Sequence, residues 1–428
     1  MQAYEHPRSR ALFERALKVI PSGIYGHLGP SEGCYIPVSA YPFYAARAHG
    51  AYVWDVDGNR YIDYMCAYGP NILGYGDPDV DAAARAQIDT GNCTTLPTST
   101  MVELAELMVS TIDGADWAFF AKNGGDTTSL AMLIARAATG RDKAILFRGH
   151  YHGVAPWTQQ YGSPGITDHD VANNLYCTWG ELEALRNTVE THRGQIAVLM
   201  ATPYHHPVFA DNELPDPSWW PAVRKLCTEH GIVLAVDDVR AGFRLDLRGS
   251  SAHYGLQADL QCFCKALANG WNVSALVGTD ALKAAAGSVM YTGSYWLSSV
   301  PFAAAIACLR KLQRIDAPGR MAQMGRLLTD GLRAAGSAHG FDLKISGEPA
   351  MWFMRITDDD NLMLHQEWVA ECVRRGVFFT SHHNLFLNTA ITEEDIAYTV
   401  DVAHEAFAVV RARHPERQEI HTVGKGMS

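Results

Sequence analysis

Long apolar runs and a surplus of basic residues are both missing from this chain of 428 residues. No apolar stretch reaches the length of a membrane span, and the first residues, Met1 to His6, lack the basic and apolar regions of a signal peptide. Acidic residues outnumber basic ones by 46 to 35, which gives a formal net charge of −11. This charge argues against general binding to nucleic acids or acidic membranes, so we expect neither among the partners.

The cysteines lack any ordered spacing. Their number, nine, is odd, and Cys262 and Cys264 are too close in sequence for a usual zinc knuckle or redox motif. We therefore expect a cytoplasmic protein whose cysteines belong mostly to the core. Internal repeats and low-complexity segments are also missing, and a composition of 48% hydrophobic and 19% charged residues is typical of a soluble globular protein.

The order of the predicted elements indicates an α/β fold with an open, mostly parallel sheet. Helical spacing predicts a helix over 8–20, and alternation around Asp57-Gly58 predicts a hairpin over 51–64. From about 78 to 310 helical and strand patterns alternate, with helices predicted at 99–112, 126–139, 180–188 and 217–230 and strands at 116–121, 143–148, 196–201 and 232–238. Beyond 301 the predictions are helices over 302–315 and 321–334, short strands at 350–356 and 377–380, and a closing helix from Glu393 to Arg413.

An acid and an amine stand at positions that favour cofactor chemistry. The apolar run that begins at Ile232 ends in Asp237 and Asp238, at the carboxyl end of a buried strand, where open α/β sheets place ligands. Lys265 follows later, among apolar neighbours whose desolvation lowers a lysine pKa and favours the neutral amine. A lysine can bond covalently to a carbonyl cofactor, and a carboxylate can hold a protonated pyridine nitrogen. Strand-end acids also form helix caps or ion pairs, and alternation alone does not decide which aspartate faces the site.

Three further segments carry candidate ligand-binding groups. Gly124, Gly125 and Asp126 follow a strand and open a helix, where free amides favour a phosphate, although an ordinary N-cap explains them equally well. Tyr151 and His152 follow the next strand, where an aromatic ring can lie on an aromatic cofactor. The nearby pair His150 and His152 lacks further ligands for a metal, so no metal is expected. The hydroxyls of Thr292 and Ser294 offer a second phosphate contact or mark a helix start.

In this order the segments resemble class III (subgroup II) pyridoxal phosphate (PLP)-dependent aminotransferases, nearest to their glutamate-1-semialdehyde aminomutase branch. The resemblance covers nearly the whole chain. It rests on the hairpin from Gly50 to Tyr64, on Tyr151-His152-Gly153, on the run Asp237-Asp-Val-Arg-Ala-Gly-Phe-Arg244, and on Gly376-Val-Phe-Phe. The family pattern Asp-Glu-Val-x-x-Gly-Phe-Arg is similar to that third segment.

The resemblance implies PLP fold type I, with a large domain over 78–310 and a small domain built from 1–77 and 311–428. It implies PLP as cofactor and a homodimer with shared active sites. Lys265 would bond to PLP and move a proton at the substrate, and Asp237 would hold the pyridinium nitrogen. The other implied positions are Gly124, Gly125 and Asp126 at the phosphate, Tyr151 on the ring with His152 beside it, Ser294 or Thr292 at the phosphate of the neighbouring subunit, and Tyr68 on the substrate side.

The implied reaction moves an amino group between an amino acid or amine and a keto acid or aldehyde. An aminomutase or an amino-acid racemase with the same cofactor is the alternative. Arg148, Arg240 and Arg244 are all candidates for binding a substrate carboxylate, and the sequence does not rank them. Two departures from the family pattern bear on the substrate: Ala201-Thr202-Pro203 replaces the usual Glu-Pro, and the N-terminal Arg motif of the aminomutase is not recognisable around Ile24 to His27.

Overall fold

The structure is a computed structural model that describes residues 3–24 and 36–415. Its strands are β1 (Ala45–His49), β2 (Tyr52–Asp55), β3 (Arg60–Asp63), β4 (Trp117–Ala121), β5 (Lys143–Phe147), β6 (Asn174–Cys177), β7 (Ile196–Ala201), β8 (Val233–Asp237), β9 (Leu260–Phe263), β10 (Ser274–Gly278), β11 (Leu343–Glu348), β12 (Met351–Ile356), β13 (Val377–Phe378) and β14 (Leu385–Phe386). Its helices are α1 (Pro7–Ala16), α2 (Pro78–Thr90), α3 (Ser99–Thr111), α4 (Gly124–Thr139), α5 (Asp168–Val171), α6 (Leu182–Thr191), α7 (Trp219–His230), α8 (Ser250–His253), α9 (Asp280–Ser288), α10 (Ser299–Arg314), α11 (Ala317–Ala338), α12 (Met363–Val373) and α13 (Glu393–Arg413).

A seven-stranded sheet in the order β4-β10-β9-β8-β7-β5-β6 forms the centre of the molecule. The pairs β5–β6, β5–β7, β7–β8 and β8–β9 are parallel, and β10 runs antiparallel to both of its neighbours. Every residue of β7 and β8 is buried, as their continuous apolar sequences require in a sheet that helices cover on both faces. This mainly parallel α/β sheet confirms the predicted fold class.

The predicted strands of the central sheet are found as β4, β5, β7 and β8, and the helices over 99–112, 126–139, 180–188 and 217–230 are found as α3, α4, α6 and α7. Strands β6, β9 and β10 and helix α2 were not among the predicted elements. The three strands have only four or five residues each, and β6 and β9 mix polar with apolar positions. Such short segments give weak periodicity, so tertiary pairing decides their conformation.

Two smaller sheets flank the central one. The hairpin formed by β2 and β3 turns at the predicted Asp57-Gly58, and β13 pairs in parallel with β3, with Val377 opposite Ile62. The second sheet has the antiparallel order β11-β12-β14. Strands from both ends of the chain thus share one sheet.

The C-terminal helices follow the sequence pattern closely. Helix α13 begins after Thr392, whose hydroxyl accepts a hydrogen bond from the Asp395 backbone N–H, and it ends at the predicted Arg413. Helix α10 runs without a break across residue 310. Helix α1 ends at Ala16, earlier than the predicted residue 20. Within residues 3–24 and 36–415, no helix combines the length and the apolarity needed to cross a membrane.

Candidate active site

A cavity of about 630 Å³ opens at the carboxyl ends of β4, β5, β8 and β9. Parallel strands end at one edge of a sheet, so their following residues meet there. The cavity is lined by Lys122, Gly124, Gly125, Asp126, Tyr151, His152, Asp237, Arg240 and Lys265, among others. The structure therefore brings together most of the residues that the sequence singles out.

Lys265 follows β9 and opens a short 3₁₀ turn, Lys265–Ala268. Its Nζ donates a hydrogen bond to the backbone carbonyl of Tyr68 at 2.9 Å. Burial lowers the pKa of Lys265 to about 8, and the positive charge of Arg240 acts in the same direction. The amine therefore gives up its proton more readily than an ordinary lysine does, which is the condition for a nucleophile or a base.

The carbonyl that holds Lys265 belongs to a strained piece of backbone. Cys66, Ala67 and Tyr68 all adopt left-handed conformations, with φ of 47°, 55° and 65°. Non-glycine residues rarely adopt this conformation, and such strain concentrates at functional sites. The Tyr68 ring meets the His383 ring edge-on at 5.6 Å between centroids.

The two neighbouring aspartates have different surroundings. Asp237 Oδ2 lies 2.8 Å from Nδ1 of the buried His152, and Asp237 Oδ1 accepts a hydrogen bond from the Val239 N–H at 3.1 Å. Because a carboxylate offers only acceptors, His152 donates from Nδ1. Asp238 instead accepts hydrogen bonds from the Ser250 N–H and hydroxyl, at 2.7 and 2.6 Å, and does not line the cavity. The geometry distinguishes the two acids, which the sequence pattern does not.

The start of α4 forms a glycine-lined edge of the cavity. Asp126 Oδ2 accepts hydrogen bonds from the Lys122 and Asn123 N–H groups at 3.1 and 2.8 Å, so this acid caps the loop. A Cβ on Gly124 would lie 2.7 Å from a Val239 methyl group. A Cβ on Gly153, whose φ is +115°, would lie 2.7 Å from the Gly125 Cα. The first two residues of α4 therefore carry no side chain, and their amides are among those that the helix itself does not satisfy.

These three features fit PLP. The buried amine of Lys265, with its lowered pKa, suits the carbonyl of that cofactor. The carboxylate that a histidine holds suits the ring nitrogen, and the glycine-lined helix start suits the phosphate. The family model described as "Aminotransferase class-III" matches residues 35–159 and 168–407. The chain is a class III aminotransferase. This aminotransferase is therefore a PLP-dependent enzyme, as the predicted function and cofactor state.

Similar proteins support the same family. The aminotransferase is 41% identical over 403 residues to the aminopentol aminotransferase of Sphingopyxis macrogoltabida, covering 94% of each chain. It is 31% identical to the 3-aminobutyryl-CoA aminotransferase of Cloacimonas acidaminovorans, covering 94% of this chain and 97% of that one. The structure of the FumI protein of Sphingopyxis sp. MTA144, in its PLP internal aldimine form, superposes with a TM-score of 0.92 at 40% identity, covering 95% of this chain and 97% of that one.

The three arginines considered for a substrate carboxylate lie in different places. Arg240 lines the cavity of the aminotransferase, and its Nη1 donates to the His206 carbonyl at 3.0 Å. Arg148 is exposed, lies 5.7 Å from the Tyr176 ring centroid, and is not among the described residues that line the cavity. Arg244 is buried and donates to the backbone carbonyls of Leu387 and Gly69. Of the three, Arg240 has the position that a substrate ligand needs.

The remaining predicted residues differ in their distance from the main cavity. Tyr151 lines the cavity while being 59% exposed. Thr292 and Ser294 are exposed and are not among the described residues that line the cavity. The aminomutase motif is not recognisable from Ile24 to His27. Of this segment only Ile24 belongs to the described residues.

Sequence reasoning does not single out Lys122 or His206, and both line the cavity. Lys122 is only 8% exposed and follows β4 directly, before the two glycines. A lysine at the end of a buried strand and next to a Gly-Gly turn was the available signal. His206 is buried beside Arg240, with 3.1 Å between its Nδ1 and the Arg240 Nη1.

Proposed function

We propose that this aminotransferase takes the amino group of an amine with an apolar chain and passes it to a keto acid, with Lys265 and Asp237 as its catalytic residues. The observation that carries the proposal is the buried His152–Asp237 hydrogen bond of 2.8 Å facing the cavity that Lys265 also lines. The proposed cofactor-binding residues are Gly124, Gly125, Asp126, Tyr151 and His152, with Ser294 or Thr292 from a neighbouring subunit.

PLP, when bound, supplies a carbonyl carbon and an electron-withdrawing ring. Asp237 would hold the protonated ring nitrogen, and His152, whose Nδ1 donates to Asp237 Oδ2, fixes that carboxylate in place. The pKa of Lys265 is lowered to about 8, so a large share of its amine is neutral near pH 8. This amine moves the proton at the substrate carbon that bears the amino group. The aromatic ring of Tyr151, which lines the cavity, would lie on the cofactor ring, and the Gly124 and Gly125 amides would receive the phosphate.

A second cavity supports an apolar donor. It measures about 200 Å³, and its lining is mainly aromatic and aliphatic (Tyr41, Phe43, Val53, Tyr61, Met65, Tyr68 and Phe378) with two acids, Asp55 and Asp63. Tyr68 belongs to its lining and also carries the carbonyl that accepts the hydrogen bond from Lys265, so one residue contacts both the compartment and the amine. Removal of apolar surface from water favours an alkyl or aryl substituent there. The relative called aminopentol aminotransferase is named after an amine and not after an amino acid, which agrees with a donor that lacks a carboxylate.

Arg240 is the proposed ligand for the carboxylate of the keto acid. Its guanidinium lines the main cavity and is fixed on one side by the His206 carbonyl. A planar guanidinium pairs with a carboxylate through two parallel hydrogen bonds. An amine donor without a carboxylate does not use this residue, so the two substrates are recognised by different groups.

We also propose a homodimer in the cytoplasm. Thr292 and Ser294 lie on an exposed loop that also exposes Met290 (94%) and Tyr295 (69%), and Ser294 neighbours Cys93 on the segment that exposes Leu96 (75%). Apolar exposure of this kind marks association surfaces. We retain the division into a small domain from 1–77 and 311–428 and a large domain over 78–310.

A half-reaction without acceptor tests the donor class. Purified enzyme saturated with PLP is mixed with straight-chain amines of increasing length and with the matching amino acids, and the absorbance of the Lys265-bound cofactor is followed. We expect conversion to the pyridoxamine form to become more efficient with chain length. Equal or better conversion by short amino acids that carry a carboxylate would contradict the proposed donor.

A further inference from the structure

The guanidinium of Arg240 is held by a single residue, His206. Its Nη1 donates to the His206 backbone carbonyl at 3.0 Å and lies 3.1 Å from Nδ1 of the His206 ring. Because a guanidinium has only donors, Nδ1 accepts, and the ring proton is on Nε2. Within residues 3–24 and 36–415, the Arg240 side chain has no further hydrogen-bond partner and no carboxylate in ion-pair contact. An uncharged residue therefore orients a charged one.

His206 itself has a fixed position. It is 5% exposed, and its ring meets the Tyr204 ring edge-on with 4.9 Å between centroids. The Tyr204 hydroxyl donates to the Met351 carbonyl at 2.9 Å, and Asn384 Nδ2 lies 3.4 Å from the His206 carbonyl. Burial lowers the pKa of His206 well below its usual value, and the positive charge of Arg240 acts in the same direction. The ring therefore stays neutral at neutral pH.

Asp237 is a competing partner for Arg240, since both residues line the main cavity. Burial lowers the pKa of Arg240, and the negative charge of Asp237 acts in the opposite direction, so the two charges attract each other. An ion pair between them would occupy the cation that a keto acid needs and the carboxylate that the cofactor ring needs. A neutral acceptor on Arg240 fixes the guanidinium and leaves its charge for a substrate.

We infer that His206 is a positioning residue for the keto-acid half of the reaction. Its ring directs the Arg240 guanidinium to the substrate carboxylate and keeps it from pairing with Asp237. The carboxylate then binds the guanidinium nitrogens that His206 does not use. This inference rests on the proposed role of Arg240 as the ligand of the keto acid.

Three substitutions at position 206 separate the acceptor from the bulk of the ring, with pyruvate as keto acid and hexylamine as donor. His206→Leu removes the acceptor and should raise the KM for pyruvate about tenfold, the value of one hydrogen bond to a charged group. His206→Asn places an amide oxygen near the position of Nδ1 and should stay within about threefold of wild type. His206→Asp supplies a charged acceptor that neutralises Arg240, so its KM for pyruvate should rise at least as much as in the Leu variant.

The KM for hexylamine should stay within about threefold in every variant, because this donor has no carboxylate. His205→Leu is the matched control, since His205 is the neighbouring histidine and is not among the described residues that line the cavity. An unchanged KM for pyruvate in His206→Leu, or equal rises in His206→Leu and His206→Asn, would overturn the inference, because the ring would then only fill space.

A double-mutant cycle with Arg240→Met shows whether His206 acts through Arg240. In the Arg240→Met background, His206→Leu should not raise the KM for pyruvate any further, and an additional rise of the full size overturns the inference. If Arg240→Met alone leaves that KM unchanged, the proposed role of Arg240 fails instead. The two failures are therefore distinguishable.

A structure of the wild type decides the question if the His206 variants do not fold. The holoenzyme is crystallised with propionate, an unreactive carboxylate of the same length as pyruvate. We expect Arg240 Nη1 to stay within hydrogen-bond distance of His206 Nδ1 while the other guanidinium nitrogens contact the carboxylate. A guanidinium that leaves His206 to reach propionate overturns the inference, and propionate bound away from Arg240 refutes the proposed role of Arg240.

Discussion

His152 and Asp237 form a buried hydrogen-bonded pair at 2.8 Å, and Asp238, the next residue, faces Ser250 instead. Two adjacent acids therefore have different hydrogen-bond partners. Asp237 → Asn is expected to lower kcat about 10²- to 10³-fold, because the ring nitrogen loses its counter-charge. Asp238→Asn is the control. Burial raises the pKa of Asp238 to about 7, so a neutral amide replaces a group already partly protonated near neutral pH, and kcat should stay within about threefold. Steady-state kinetics with PLP in excess measures both, and a larger loss in the Asp238 variant would reverse the assignment.

His152 is expected to act by positioning Asp237. His152→Phe removes the donor and should lower kcat about tenfold, the value of one charge-assisted hydrogen bond, with a smaller effect on the KM of the donor. The pH at which the bound cofactor changes its absorption should also shift, a readout that loss of packing alone does not move. His169→Phe, at an exposed position on α5, is the control. An unshifted absorption profile would leave His152 with a merely structural role.

The low pKa of Lys265 gives a pH dependence with a definite sign. Its pKa of about 8 lies below the usual lysine value, and only the neutral amine attacks a carbonyl. In the cofactor-free protein, the rate of PLP capture should therefore rise about tenfold per pH unit below that pKa and level off above it. Stopped-flow absorbance measures this rate. A profile that continues to rise through pH 10 would mean an ordinary lysine, and Lys265→Ala should show no capture at any pH.

The apolar compartment beside Tyr68 predicts a change in chain-length preference. Val53→Phe adds bulk to its wall and should raise the KM for long-chain amines about tenfold, while short amines are converted as before. Val102→Phe, at an exposed position of α3, makes the same change away from the cavity. Kinetics across amines of graded length provide the measurement. A uniform loss for every donor would indicate general disturbance of the fold.

The position of Arg240 predicts that its substitution affects the KM of the keto acid and not that of the amine donor. Arg240→Met should raise the KM for the keto acid about 10- to 100-fold and leave the KM for an amine donor without a carboxylate nearly unchanged. Arg148→Met, which removes an exposed guanidinium outside the cavity lining, is the matched control. An equal effect of both variants on the keto acid would remove Arg240 from its proposed role.

Many of the helices, strands and turns are predictable from the local sequence. Three elements carry a strong local signal, and all three are confirmed: the Asp57-Gly58 turn between alternating strands, the strand β8 with its apolar run before Asp237, and the capped helix α13. Strands β9 and β10 contain polar residues, Gln261 and Ser274, that weaken the apolar pattern, and these strands form through pairing with their neighbours. Local pattern therefore predicts the long elements and misses those that tertiary contacts create.

The site shows the same division. The apolar neighbours of Lys265 indicate burial from sequence alone. Which of Asp237 and Asp238 faces the cavity depends on where β8 ends. It also depends on the hydroxyl of Ser250, which comes from a later segment and donates a hydrogen bond to Asp238. Arg240 and Arg148 are equivalent in the sequence, and only the fold directs one to the cavity and the other to the Tyr176 ring. Lys122 is missed because a sequence does not show that its side chain is buried or that its Nζ has no hydrogen-bond acceptor among the described residues.

The acceptor for the Lys265 ammonium is a main-chain oxygen, that of Tyr68. A point substitution at position 68 exchanges the ring and keeps this oxygen, provided the new residue tolerates the left-handed backbone. A library of substitutions at position 68, enriched in Asn and Gly, would therefore vary the wall of the apolar compartment. The hydrogen bond from Lys265 to the main-chain oxygen would remain in every variant. Directed evolution towards new donors has its natural starting point there.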